Sequence, residues 1–140
     1  MSTHLRRCRD GDEGRIALFV VIMAFVVLVM IGLAVDGGGR VRTLQRADNI
    51  AAEAARAAGE AIDLDQAATG GRKEVDPDRA VAAARQYLAA AGVSGTVTLS
   101  GDRQHVNVTV TAQYNPVILD LIGYGQLTVT GHGSAQLLTG

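Results

Sequence analysis

Residues 16–35 read IALFVVIMAFVVLVMIGLAV and carry no charged or polar side chain. No other feature restricts the fold of this chain so strongly. At about 1.5 Å rise per residue, a helix of this length spans roughly 30 Å, the thickness of a bilayer's hydrocarbon core. A soluble helix would show a polar stripe along one side. A wholly buried core helix needs surrounding protein on every side, and 140 residues leave too little to supply it. A cleaved secretory signal has a shorter apolar region, about 7–15 residues, ending in a small-x-small site. The run here is longer, and Gly-Leu-Ala-Val-Asp-Gly-Gly-Gly is a poor version of that site. The expectation is a retained transmembrane helix over 16–35, between an N-terminal segment over 1–15 and a head over 36–140.

Lysine and arginine set orientation. Arg6, Arg7, Arg9 and Arg15 precede the span, and Arg40, Arg42 and Arg46 follow it. The small excess before the span favours a cytoplasmic N-terminus and an extracytoplasmic head. Cys8 is the single cysteine, so no intrachain disulfide is available to that head. It precedes the apolar run and cannot serve as a lipoprotein cysteine, which follows one.

The run ends abruptly at Asp36, Gly37, Gly38 and Gly39. A carboxylate is costly in hydrocarbon, so Asp36 marks the membrane boundary. Each glycine weakens a helix by about 1 kcal/mol relative to alanine, so three in succession predict a soft joint, a hinge at the membrane surface. A phosphate-cradling loop would need a preceding strand and a P-loop lysine or GxGxxG spacing, and none is present.

From Val41 the sequence VRTLQRADNIAAEAARAAGEAID returns to helical spacing. Leu44, Ala47, Ala51, Ala54, Ala58 and Ile62 form a narrow seam. Such small side chains bury little area, so the helix needs a partner. That partner is either the rest of its own domain or another molecule. Residues 63–74, DLDQAATGGRKE, read as a polar loop. Asp63 and Asp65 lack the further oxygen ligands, central glycine and closing glutamate of a calcium loop.

Asp76-Pro77-Asp78 opens a second helix, with Asp76 as N-cap and proline at the first position. Val81, Ala84, Leu88 and Ala91 form its expected stripe, and Gly92 its C-terminal cap. The period then changes to two. Residues 96–100 and 105–114 alternate, with Val106, Val108, Val110 and Ala112 on one side, and a four-residue link makes them an antiparallel hairpin. Residues 115–126, NPVILDLIGYGQ, predict a short helix covering the sheet, with Asp120 facing solvent. Residues 127–138 give a last strand. The fold class is α+β: a transmembrane helix continuing into an alanine-rich helix, a second helix, and a small three-stranded antiparallel sheet.

The head has a near-neutral charge, with 9 basic and 11 acidic residues from Asp36 onward, and the chain is only 4% aromatic. Nucleic-acid binding needs a basic stripe and usually stacking rings. His4, His105 and His132 are scattered and have no cysteine or clustered carboxylates beside them, so no metal or other cofactor is expected. No nucleophile or zinc-hydrolase motif occurs. The chain reads as a non-enzymatic protein that acts by contact, with no small-molecule substrate.

The order of basic N-terminus, DEGR (12–15), apolar span, GLAVDGGGRV (32–41) and ADNIAAEAARAAG (47–59) resembles the TadE/TadG-like proteins of tight-adherence (Flp) pilus systems. The resemblance covers residues 12–62 well and the rest loosely. It implies a membrane-anchored, pilin-like component of a pilus or secretion machine, whose partners are other proteins of that machine; packing of the alanine seam on another molecule would add self-association. Pilin-like members can be cut after a glycine, with glutamate at the fifth mature position. Gly14 and Arg15 stand where such a cut would fall, but Phe19 occupies the fifth place. The alternative is a single-pass anchored envelope binding module or sensor accessory domain with no pilus role.

Overall fold

A computed structural model describes the backbone of residues 10–69 and 77–137, and the side chains of residues 13–61 and 77–137. Cys8, Asp76 and the side chains of Ile62, Asp63 and Asp65 lie outside the described residues.

Helix α1 runs over Asp10–Thr69 without interruption. Its 60 residues extend about 90 Å. The helix begins ahead of the apolar run and passes through Gly37, Gly38 and Gly39, where the sequence predicts a joint. It also continues past Ile62 into the stretch expected to be a loop. That stretch contains Leu64, Gln66, Ala67 and Ala68, all good helix formers, and the sequence offers no strong breaker until Gly70-Gly71.

Helix α2 covers Pro77–Ala90, with proline first and Asp78 in the first turn, where its charge suits the helix dipole. It ends as expected at Gly92, with φ +65°. The Val93 amide donates to the Leu88 carbonyl at 3.2 Å, and the Gly92 amide to Ala89 at 3.1 Å. This is the paired bonding of a Schellman cap. The buried stripe of α2 is Ala80, Ala84 and Leu88. Val81 is only half-buried and Ala91 is exposed, so the face is rotated from the one read in the sequence.

Three strands follow: β1 (Ser94–Leu99), β2 (His105–Tyr114) and β3 (Leu127–Gln136), paired antiparallel in the order β1-β2-β3. The register pairs Val97 with Val108, and Val110 with Gly131. Val106, Val108 and Val110 are buried, as their alternation predicts, while Ala112 is half-buried. The fold is α+β with one helix long and apolar enough to cross a membrane.

The sheet packs against the C-terminal half of α1, and α2 lies against both. The core is built from small side chains: Ala47, Ala51, Ala54, Ala55 and Ala58 of α1, Ala80, Ala84 and Leu88 of α2, the inward valines, and Leu137. Alanine gains little by area, so the core depends on close approach. The short helix α3 (Ile118–Leu121) forms within residues 115–126. It does not cover the sheet as expected; among the described elements it packs on α1 alone.

Candidate functional site

One face of α1 carries small residues from Gly32 to Ala58. Gly32, Asp36, Gly39, Thr43, Ala47, Ala51, Ala54 and Ala58 recur every three or four residues, the spacing that stacks side chains on one side. The part of this face from Ala47 onward meets β3. A Cβ built on Gly131 would stand 2.7 Å from the Ala47 carbonyl oxygen, and one on Gly133 would stand 2.5 Å from the Ala52 nitrogen. Both strand positions therefore require glycine, and the two backbones touch directly. Between them the amide of His132 donates to Asp48 Oδ1 at 2.9 Å. This bond satisfies a donor on the outer edge of β3, which among the described strands pairs only with β2.

The N-terminal part of the same face holds the connection between β2 and β3. Asp36 is 2% exposed, and both its carboxylate oxygens are occupied. Oδ1 accepts from the Val117 amide at 2.8 Å and from the Tyr114 hydroxyl at 3.3 Å. Oδ2 accepts from the amides of Ile118 at 3.0 Å and Leu119 at 2.8 Å. Three successive N–H groups at the start of α3 thus find one carboxylate, as a capping side chain would provide, but from a distant part of the chain. Asp36, which ends the apolar run in the sequence, bonds the head to the helix.

Gly32 and Gly39 flank this bond on the same face. A Cβ at Gly32 would lie 2.8 Å from Ile118 Cγ2, and one at Gly39 would lie 2.7 Å from Tyr114 Cζ. Gly37 and Gly38 have open space where a Cβ would be. Of the three consecutive glycines, only Gly39 therefore makes room for a neighbour. Burial, then the charge of Asp36 and its hydrogen bond, raise the Tyr114 pKa above the ordinary tyrosine value.

The remaining sequence-predicted positions divide cleanly. Ala47, Ala51, Ala54 and Ala58 are buried in the head's own core, joined by Ala55, which lies beside the predicted seam. Leu44 is 37% exposed and stands outside that core. Gly14 and Arg15 lie exposed on α1. Asp120 is exposed on α3. Among the described residues no group of three or more His, Cys, Asp or Glu side chains could hold a metal ion. The site's chemistry is that of attachment: one carboxylate and a row of small residues fix a loop and a sheet to one helix.

Residues 16–35 are bare. Leu28 is 66% exposed and Met30 68%, and within the span only Gly32 is buried, beneath Ile118. A soluble protein rarely exposes so large a continuous apolar surface. In comparison with known families, residues 14–86 match the Tad family, described as "Putative Flp pilus-assembly TadE/G-like". The chain belongs to this TadE/G-like family. The match begins at Gly14 and covers the span, the Asp36 turn, the alanine seam and most of α2. A search of curated proteins and a search of solved structures both find no match. Membership indicates involvement in Flp pilus assembly, in a family of assembly proteins. Together with the bare apolar helix it suggests anchoring in a membrane.

Proposed function

We propose that this TadE/G-like chain is a membrane-anchored, pilin-like structural component of a tight-adherence or type IV-like pilus or secretion machine, acting by protein–protein contact. Residues 16–35 hold it in the membrane, the N-terminus faces the cytoplasm, and the head stands outside. One observation carries this reading: a single helix supplies both the uncovered apolar span and the inner wall of the folded head. Its alanine seam is filled by the chain's own sheet over Ala47 to Ala58, so contacts with other machine proteins fall on the outer faces of the head and along the bare span. Self-association through the span is part of the same proposal.

The test has three parts. Alkaline extraction of membranes should leave the full chain in the pellet. Protease added outside spheroplasts should digest the head and spare the N-terminal segment. Crosslinking in cells should then capture other proteins of the pilus machine. A chain recovered in the soluble fraction would overturn the anchor. An anchored chain that crosslinks to no such protein would favour the envelope binding module instead. Mass spectrometry of the N-terminus decides processing: a start at Arg15 supports pilin-type cleavage after Gly14, and a start at residue 1 or 2 supports a permanent anchor.

A further inference from the structure

Outside α1, the exposed large hydrophobic residues of the described chain gather in one place. Val117, Leu121, Ile122 and Tyr124 are 59%, 79%, 69% and 61% exposed, with Ile118 beside them at 40%. Tyr87 on α2 is the one such residue elsewhere. A cluster of this kind signals a surface that something covers.

The contact with α1 identifies what covers it. Ile118 sits on Gly32, four residues before Asp36 and so about 6 Å toward the middle of the span along the helix axis. Whatever medium surrounds the end of the span also surrounds Ile118 and its neighbours. Helices that lie in a membrane interface seat their apolar side roughly 5–10 Å into the boundary between headgroups and acyl chains. The depth agrees. So does the backbone, since a segment at that depth cannot leave donors unpaired. The amides of Val117, Ile118 and Leu119 go to Asp36. Those of Ile122 and Tyr124 go to the Leu119 carbonyl, and that of Gly123 to Asp120, with Gly123 at φ +88° closing the turn. Tyr124 has the amphipathic ring that membrane interfaces favour.

We infer that residues 117–124 form a second membrane contact, an interfacial loop whose Val117, Leu121 and Ile122 enter the acyl boundary of the leaflet in which the span ends. This rests on the reading that residues 16–35 cross a bilayer. The bilayer is the occupant because the loop is continuous with the surface of the span. Asp36 holds it there and neutralises its otherwise open backbone donors.

The chain contains no tryptophan, so a single introduced one reports its own depth. Full-length Leu121→Trp, Phe25→Trp and Tyr87→Trp are reconstituted separately in phosphatidylcholine vesicles carrying lipids brominated at shallow or deep acyl positions. Tyr87 lies near Arg56, about 30 Å beyond Asp36 along α1, and reports the aqueous head. Phe25→Trp should be quenched by deep bromines and Tyr87→Trp by neither. Leu121→Trp should lose several-fold more emission than Tyr87→Trp, and more to shallow bromines than to deep ones. If Phe25→Trp is quenched while Leu121→Trp behaves like Tyr87→Trp, the loop is off the membrane and the inference falls, whether solvent, a second copy or another protein covers it. If Phe25→Trp is also unquenched, the anchor itself is wrong.

Discussion

Substituting Gly133 by alanine tests whether backbone contact holds the head together. The new Cβ would stand 2.5 Å from the Ala52 nitrogen and nearer still to the Ala51 carbonyl, whereas ordinary contact begins at 3.4 Å. The strand and helix must part by about 0.9 Å or more, and neither can yield locally because both are regular elements. A gap of that size forfeits a quarter to a half of the dispersion attraction at each separated contact. The separation extends along Ala51, Ala54, Ala55 and Ala58. Overpacking of this kind costs about 1–3 kcal/mol. Loss of glycine's freedom in the unfolded chain offsets roughly 0.4–1 kcal/mol. At the middle of both ranges a net loss of about 1.3 kcal/mol remains, which lowers the melting temperature by roughly 5–10 °C for a head of this size. The assay is thermal unfolding of the full chain in detergent, followed by circular dichroism, with Gly101→Ala as control because its Cβ meets open space. Ala51→Gly should not rescue Gly133→Ala, since the clash is with main-chain atoms. A Gly133→Ala protein that melts with the control would refute direct backbone contact.

Three further outcomes follow from the same face of α1. Gly37→Ala and Gly38→Ala should each stabilise the helix by about 1 kcal/mol, because alanine is the better helix former and nothing opposes its Cβ; Gly39→Ala should lower the melting temperature through its clash with Tyr114, and equal shifts at all three positions would argue against the packing described. Asp36→Asn places an amide against backbone donors, so hydrogen exchange at Val117, Ile118 and Leu119 should accelerate while Val108 stays protected. Tyr114, as sole tyrosine in a Tyr87→Phe, Tyr124→Phe background, should ionise above the usual tyrosine range near 10, and Asp36→Asn should bring its phenolate absorbance to lower pH. A folded-state value raised above the unfolded one means that this tyrosine's share of stability is complete below about pH 10 and is lost as pH rises through the higher folded value.

Much of the fold was legible because its signals are local. The alternation of Val106, Val108 and Val110, the proline at the start of α2 and Gly92 at its end each act within a few residues. The seam was visible from Ala47 to Ala58 because helical spacing of small residues is a one-dimensional pattern. What escaped depends on contacts remote in sequence. Asp36 looks like a boundary charge, yet its donors lie 78 to 83 residues away. Gly131 and Gly133 look like ordinary loosening of a strand, and only the helix backbone above them explains why a side chain is excluded. The three glycines after Asp36 do predict a weak point, but the β2–β3 connection braces that turn through Gly32, Asp36 and Gly39, and tertiary contact outweighs propensity. The apolar residues of 115–126 need cover, but nothing local in the sequence distinguishes the sheet from the helix as their resting place.

With residues 16–35 anchored as proposed, an unbroken α1 turns the protein into a lever. From Asp36 to Thr69 the helix runs about 50 Å, so a tilt of the span by roughly 20°, the average for membrane helices, sweeps its far end through about 17 Å. With the sheet bonded to that same rod, rotation or withdrawal of residues 16–35 carries the head with it as one body. A force applied at either end is delivered at the other without slack.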